Sequence, residues 1–259
     1  MTARQIDGVR IKGARGRAGD KAQLRGYFDG VGFERWAAIY GDQELSAIRR
    51  SIRMGHNRML ATASDWLLEG ARPGALLDAG CGTGLFSIAL AQQGYSVIGV
   101  DIAPRMVAAA QAAAAQVGVG ERTRFQVGDV EQITGRFDAV VCFDVLVHYP
   151  HAPFTRLVHH LSGLSDGPLL FTYAPYNRLF ALLHWVGGHF PQSQRRTEIQ
   201  MIRHAHVEQA LAECGRRVRR RAVISHGFYH VTLVEAVQVA AVGRQPDNER
   251  VPIHQDKGN

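Results

Sequence analysis

The sequence predicts an α/β protein built on a doubly wound, mostly parallel sheet, and three observations lead to this prediction. Short apolar runs alternate with helix-like segments from residue 73 onward, a glycine-rich turn follows the first apolar run, and Asp101 ends the second. Strands that alternate with helices form parallel sheets covered on both faces. At 259 residues, the chain is long enough for one large α/β domain and a modest addition.

The individual elements follow from the spacing of the apolar residues. The predicted strands are 75–79, 96–100, 123–127, 137–143, 168–173, 219–225 and 229–239. The predicted helices after the first strand are 85–93, 104–117, 153–162, 177–190 and 205–214. Pro104 suits a first helical turn. The last two strands are joined by the short link Ser225-His226-Gly227, so they predict an antiparallel hairpin at one edge of a seven-stranded sheet.

The composition divides the chain into four parts. Residues 1–22 are basic with few large apolar side chains, and we expect a poorly ordered tail. Residues 23–72 carry apolar residues at helical spacing and predict an N-terminal helical cap that contributes to substrate binding. Residues 73–242 form the predicted cofactor-binding domain, and residues 243–259 form a polar C-terminal tail.

The net charge of +7 is concentrated in two segments. Residues 1–25 hold seven Arg or Lys against two Asp, and residues 195–221 hold eight Arg against three Glu. A basic balance favours nucleic acids or anionic membranes as partners. Because these segments lie outside the predicted core and lack interleaved aromatic residues, we interpret them as solvated faces, with contact to an anionic surface as the alternative and no nucleic-acid partner expected.

Other features of the composition concern the compartment. The cysteines Cys81, Cys142 and Cys214 lie far apart, with no CxxC pair and no histidine cluster at metal-ligand spacing. The N-terminus has no apolar region of the kind found in secretory signals. The longest apolar runs fall short of the roughly 18 residues that span a membrane. We therefore expect a cytoplasmic protein without disulfides and without a protein-bound metal.

The turn Asp78-Ala79-Gly80-Cys81-Gly82-Thr83-Gly84 connects the first strand to the first helix of the sheet. Glycines there permit positive φ and let backbone amides approach a ligand at the helix N-terminus. Asp101 is positioned to accept hydrogen bonds from ribose hydroxyls. A nicotinamide site usually has an apolar residue where Asp78 stands, and no substrate domain of oxidoreductase size follows, so the turn argues against a nicotinamide enzyme.

With its leading aspartate, the turn resembles motif I of the class I S-adenosylmethionine (SAM) methyltransferases, and segments 101–106, 128–130 and 137–144 resemble the motifs that follow it. The resemblance implies a Rossmann-like class I methyltransferase fold with SAM as methyl donor. It implies that Asp78 faces the positive end of the methionine moiety and that Asp129 binds the adenine amino group. The predicted cofactor-binding residues are Asp78, Gly80, Cys81, Gly82, Gly84, Asp101, Ile102, Met106, Asp129, Val130 and Phe143.

The flanking segments resemble one family of this class, the magnesium protoporphyrin IX methyltransferases. The similar segments are 27–28, 32–36, 39–42, 52–56, 144–150 and 228–229. The resemblance extends over about 27–239 and is weakest at 176–196, where a substrate lid would lie. It implies methylation of a propionate of magnesium protoporphyrin IX in bacteriochlorophyll or chlorophyll synthesis, with the magnesium in the substrate. It also implies hand-over from the porphyrin-binding subunit of magnesium chelatase. With a lipophilic substrate, the apolar stretch 179–190 suits peripheral contact with the photosynthetic membrane, and a lid helix is the alternative.

Within this resemblance, His148 and Tyr27 are the predicted catalytic residues. His148 orients the propionate or removes its proton, and Tyr27 offers a hydroxyl to the carboxylate; capping a loop and packing are the alternative roles. The predicted substrate-binding residues are Phe28, Trp36 and Tyr40, which line a flat macrocycle pocket or alternatively belong to the core, and Arg53 and His56, which contact the second propionate or alternatively cap a helix. Two other functions stay open: an O-methyltransferase for a quinone precursor or natural product, which needs a general base, and a non-catalytic cofactor- or nucleic-acid-binding module.

Overall fold

The computed structural model describes residues 18–34, 45–70, 73–176 and 199–239. Within these ranges, the sheet is preceded by α1 (Ala18–Tyr27), which continues into a π-helical turn at Phe28–Gly32, and by α2 (Ala47–Gly70). The remaining elements follow in the order β1 (Ala75–Ala79), α3 (Leu85–Gln92), β2 (Ser96–Asp101), α4 (Pro104–Gln116), β3 (Thr123–Val127), β4 (Ala139–Cys142), α5 (His151–Leu164), β5 (Leu169–Pro175), β6 (Met201–Ile202), α6 (His204–Glu213), β7 (Arg216–His226) and β8 (Tyr229–Gln238).

The sheet has the strand order β3-β2-β1-β4-β5-β8-β7, and β6 pairs with β5 beside this path. Strands β1 to β5 run parallel to one another, whereas β8 runs antiparallel to both β5 and β7. The doubly wound fold class and the antiparallel edge hairpin are therefore confirmed. The strand order reverses between β1 and β4, and ligands of such sheets bind at the carboxyl ends of the strands beside this reversal.

Several element boundaries differ from the prediction. Helix α1 begins at Ala18, inside the 1–22 segment expected to be poorly ordered, and Lys21 on it pairs with Asp129, a contact that composition does not show. Strand β7 begins at Arg216 rather than at residue 219. Arg216 is buried, and a buried arginine does not show the apolar alternation from which a strand is predicted. Strand β6 was missed because two residues leave no periodicity. The predicted helix 177–190 lies outside the described residues.

Apolar residues cover the sheet on both faces. One core cluster joins the sheet to α5 and α6, and the other joins it to α2, α3 and α4. Helix α2 buries Met59, Ala63 and Leu67, which are spaced four residues apart along one face. Gly55 lets α2 approach β8 closely, since a Cβ atom there would lie 2.8 Å from the Cβ of Tyr229. Among the described residues, every helix is too short or too polar to cross a bilayer.

A buried carboxylate connects α2 to the edge hairpin. The side chain of Glu235 on β8 is 1% exposed, and Arg220 Nε donates to its Oε2 at 2.5 Å. Arg220 also donates from Nη2 to the Trp66 carbonyl at 2.9 Å and pairs with Glu69, both on α2. Arg219 contributes a longer contact of 3.5 Å to Glu235. Helix α2 and the hairpin are therefore held together by a charge pair as well as by apolar contacts.

Replacing Arg220 by leucine should lower the free energy of unfolding by about 3 kcal/mol, because it leaves the buried Glu235 carboxylate without its main partner. Urea titration followed by circular dichroism measures the change. Arg217→Leu, at an exposed position of the same strand, is the matched control and should stay within about 0.5 kcal/mol of wild type. Equal unfolding midpoints for both variants would contradict this account of the pair.

Candidate active site

A large cavity of about 1050 Å³ opens at the carboxyl ends of the parallel strands. Ligand pockets typically measure roughly 300–1,000 Å³, so this volume suits a large ligand or two ligands side by side. The cavity is lined by the glycine turn, the ends of β2 and β4, the segment after β3, and parts of α1, α2 and the β7–β8 hairpin. The cavity thus lies at the reversal of strand order, where the sequence analysis expects the cofactor.

Ten of the eleven predicted cofactor-binding residues line this cavity: Asp78, Gly80, Cys81, Gly82, Asp101, Ile102, Met106, Asp129, Val130 and Phe143. Gly84 does not. It lies at the N-terminus of α3 with a φ of 77°, and a side chain there would collide with Ala110 and Phe125. Gly84 therefore serves the packing of the turn, and direct contact of the other ten with a cofactor stays a prediction.

The glycine turn is held against β2 by its own backbone. Gly80 has a φ of 89°, and its N–H donates to the Val100 carbonyl at 2.7 Å. A Cβ atom on Gly80 would overlap with the side chain of Val145, which follows β4. Glycine is thus required here twice, for the left-handed backbone and for the close approach of Val145.

The Asp101 carboxylate organises the same turn. Its Oδ2 accepts the Gly82 N–H at 2.9 Å, and its Oδ1 accepts the Ala103 N–H at 2.9 Å. Burial raises the pKa of Asp101, while these backbone hydrogen bonds oppose the rise. The side chain therefore fixes the turn and presents an oriented carboxylate to the cavity at the end of β2, where ribose hydroxyls bind in related folds.

Asp78 is the most deeply buried carboxylate of the site, with 3% exposure. The Ser87 hydroxyl donates to its Oδ2 at 2.6 Å. Burial raises the pKa of Asp78 to about 7, although the hydrogen bond from Ser87 opposes this. A cationic group bound nearby would favour the ionised form, so the position suits the positive methionine end of SAM.

Asp129 pairs with a residue to which the sequence analysis gave no role in the site. Lys21 Nζ on α1 lies 2.6 Å from Asp129 Oδ2 and 2.8 Å from Glu131 Oε2, and Lys21 lines the cavity. Lys21 and Asp129 are 108 residues apart in the sequence, so no local pattern reveals the contact. Helix α1 is thereby attached beside the carboxylate that is expected to receive the adenine amino group.

The predicted catalytic residues meet at Phe28. The Phe28 ring contacts Tyr27 edge-on with 5.1 Å between centroids, and it contacts the His148 ring at 5.6 Å. All three, together with His56, line the cavity. Among the other predicted substrate-binding residues, Arg53 does not line it, and Trp36 and Tyr40 lie outside the described residues.

Further cavity residues received no individual role from the sequence. They include Asp144 directly after β4, Tyr149 before α5 and Tyr229 at the start of β8. Asp144 and Tyr229 lie in segments 144–150 and 228–229, which resemble the family. The resemblance by itself assigns no chemical role to these two side chains. Their partners become visible only when the distant strands are brought together.

Comparison with known proteins identifies the family. A family model described as "Magnesium-protoporphyrin IX methyltransferase C-terminus" matches residues 142–238, and a general "Methyltransferase domain" model matches residues 76–164. The chain is 37% identical over 222 residues to a magnesium-protoporphyrin O-methyltransferase of Synechocystis, which covers 85% of this chain and 96% of that protein. The chain belongs to the magnesium protoporphyrin IX methyltransferase family.

Other members agree with this assignment. The chloroplastic magnesium protoporphyrin IX methyltransferase of Arabidopsis thaliana is 38% identical over 226 residues, which cover 85% of this chain and 72% of that protein. The crystal structure of the magnesium protoporphyrin IX methyltransferase from Synechocystis PCC 6803 with bound SAH is 35% identical, with a TM-score of 0.78 over 85% of this chain and 100% of that one. The magnesium protoporphyrin IX methyltransferase resemblance seen in the sequence is thus confirmed.

Asp101→Ala should weaken SAM binding by about tenfold or more, because it removes both a charge-assisted acceptor and the carboxylate that holds the Gly82 amide. Isothermal titration calorimetry measures the change. Asp65→Ala, at an exposed position of α2, is the control and should bind SAM like the wild type. An unchanged affinity in Asp101→Ala would remove this residue from the cofactor site.

Between pH 5.5 and 7, SAM binding should tighten as the pH rises. Burial raises the pKa of Asp78 to about 7, so a cationic ligand must displace a proton below that pH, and affinity should gain up to about tenfold per pH unit. Calorimetry in two buffers of different ionisation enthalpy should detect proton release. Asp78→Asn should abolish both the pH dependence and the proton release. A wild-type affinity that does not change with pH would contradict the expectation that ionised Asp78 faces the cationic end of SAM.

Proposed function

We propose that this chain transfers the methyl group of SAM to one propionate carboxylate of magnesium protoporphyrin IX and forms its monomethyl ester in bacteriochlorophyll or chlorophyll synthesis. The observation that carries this proposal is one continuous cavity that is lined by the carboxylates of Asp78, Asp101 and Asp129 and also by the imidazoles of His56 and His148. Family membership supports it, since the relatives from Synechocystis, Arabidopsis thaliana and Rhodobacter capsulatus are all named for this methylation.

The residues on the cofactor side fit SAM chemically. Carboxylates are acceptors for ribose hydroxyls and for the adenine amino group, which suits Asp101 and Asp129. Asp78 supplies negative charge for the cationic methionine moiety in a site where burial strengthens the attraction. Ile102 and Val130 add apolar surface beside these groups, as a nucleobase requires. SAM supplies an electrophilic methyl group when it is bound.

Methylation of a carboxylate requires no activation of the nucleophile by the protein. A carboxylic acid has a pKa of about 4, so a propionate is already an anionic nucleophile at neutral pH. The protein then contributes placement of the oxygen within about 3–3.5 Å of the methyl carbon, and a cavity from which water is excluded. We assign His148 to orienting the propionate by a hydrogen bond, with Phe28 fixing its ring. The reaction needs no resident metal for this step, and the magnesium enters with the substrate.

Apolar side chains at the cavity support a lipophilic macrocycle as acceptor. Ile199, Val223 and Phe228 line the cavity and are 51%, 69% and 68% exposed. A large flat ring would cover such side chains, whereas a small polar acceptor would leave them in water. The same surface suits transient contact with the photosynthetic membrane. It also suits hand-over of the porphyrin from the porphyrin-binding subunit of magnesium chelatase, and both contacts stay predictions.

Transfer of radiolabelled methyl from SAM tests the proposal directly. The full chain should label magnesium protoporphyrin IX, and metal-free protoporphyrin serves as the matched acceptor that differs only in the metal. A quinone precursor with a free hydroxyl represents the rival acceptor class. Label in the quinone precursor but not in the porphyrin would overturn the proposed substrate.

His148→Ala should lower kcat for magnesium protoporphyrin by about 10²-fold or more, because misplacement of a reacting group by about 1 Å is that costly. Its affinity for SAM should stay within twofold of wild type, as its predicted contact is with the acceptor. His151→Ala, three residues along the chain and exposed, is the control. Wild-type turnover in His148→Ala would end its assignment to the reaction.

A further inference from the structure

Asp144 has an unusual backbone. Its φ of 55° is the one positive value of a non-glycine residue in the part of the chain that the structure describes. Left-handed backbone costs a residue with a side chain on the order of 1–3 kcal/mol and persists where surrounding contacts impose it, often at functional sites. Asp144 directly follows Phe143 at the end of β4 and lines the cavity.

Hydroxyl groups from two neighbouring strands hold this conformation. The Asp144 N–H donates to Thr172 Oγ1 on β5 at 2.7 Å, and the Thr172 hydroxyl donates to Asp144 Oδ1 at 3.1 Å. The Tyr229 hydroxyl on β8 lies 3.1 Å and 3.0 Å from the two carboxylate oxygens. Thr172 is fully buried and Tyr229 is 7% exposed. Asp144 is therefore fixed in orientation although it borders a cavity.

This carboxylate faces a histidine on the helical cap. His56 Nε2 on α2 lies 3.7 Å from Asp144 Oδ2, and the His56 ring meets the Tyr229 ring edge-on at 5.9 Å between centroids. Burial lowers the pKa of His56, whereas the charge of Asp144 opposes this. The ring's two neighbours are Asp144, which follows β4, and Tyr229 on β8, and Arg53 precedes His56 by three residues on α2. The His56 ring thus directs Nε2 toward Asp144.

A substrate dicarboxylate explains this arrangement. A propionate that leaves water for a largely apolar cavity needs a hydrogen-bonding and charged partner. An imidazole between two carboxylates is stabilised in its charged form, because each opposite charge favours protonation. Pairing with a cation also makes a carboxylate a poorer nucleophile, so the propionate at His56 is the one that does not react.

We propose that Asp144 is a positioning residue that, with Tyr229, orients His56 to bind the non-reacting propionate of the porphyrin, the ring taking up one proton from solvent. The inference rests on the proposed function and deepens it. It assigns His56 and Asp144 to choosing how the macrocycle lies in the cavity, with one propionate anchored at α2 and the other left for methylation. Asp144 acts through His56 and has no direct contact with the acceptor.

Binding of two probe ligands, without turnover, tests this assignment. Soret-band titration of the full chain compares magnesium protoporphyrin IX with its dimethyl ester, which lacks both carboxylates. The wild type should favour the diacid by about tenfold or more, the value of a charge-assisted hydrogen bond. His56→Gln and Asp144→Asn should each lower this preference by about threefold or more through weaker diacid binding, with ester affinity unchanged, and the remaining preference belongs to the propionate at His148. Asparagine tolerates left-handed backbone, so Asp144→Asn should keep the turn.

Further readouts separate positioning from a structural role. Wild type should take up a proton on binding the diacid but not the ester, and Asp144→Asn should not. Tyr229→Phe should lower the diacid preference more weakly, since Thr172 still bonds to Asp144. His159→Gln, on α5 and away from the cavity, should match wild type.

Equal losses for diacid and ester in the variants, or an unchanged preference, would overturn the inference. If the variants behave in either of these ways and the wild type still methylates the porphyrin, only the role of Asp144 and His56 is overturned. A wild type that fails to methylate the porphyrin sinks the proposed function itself.

Discussion

Four aspartates at one edge of a parallel sheet set the chemistry of this protein. Asp78, Asp101, Asp129 and Asp144 stand at or just beyond the carboxyl ends of β1, β2, β3 and β4, so the topology brings their charges to one cavity. Burying such charges is unfavourable unless donors compensate them. Each carboxylate has its own donors: the Ser87 hydroxyl, two backbone amides, Lys21, and the hydroxyls of Tyr229 and Thr172. The arrangement suits a cationic ligand.

Charged and titratable side chains around the cavity suit two different ligands. The chain carries a net charge of +7, yet the carboxylates of Asp78, Asp101 and Asp129 line the cavity. These carboxylates suit a cationic donor and would repel an anionic acceptor, whereas His56 and His148 offer the acceptor imidazole groups. Asp144 next to His56 is compensated by the hydroxyls of Tyr229 and Thr172. The arrangement depends on α1 and α2, which supply Lys21 and His56.

Features encoded within a few residues could be predicted from the sequence, and features that depend on distant contacts could not. The glycine turn and Asp101 follow from local rules for strand ends and helix starts, and ten of eleven predicted cofactor residues line the cavity. Gly84 obeys the same motif but serves packing, which depends on Phe125 from another strand. The pairing of Lys21 with Asp129 and of Tyr229 with Asp144 joins residues 108 and 85 apart, and no spacing rule reaches that far.

The close contact between Gly80 and Val145 makes the glycine turn depend on the segment after β4. The glycine turn on the cofactor side has no room for a side chain, because Val145 from the acceptor-side segment fills that space. Any effort to retarget the enzyme to another acceptor by exchanging segment 144–150 must therefore keep a side chain of valine size or smaller at position 145. A larger residue would push the turn away from β2 and damage the methyl donor's site, so engineered acceptor loops have to be selected for retained donor affinity as well as for new specificity.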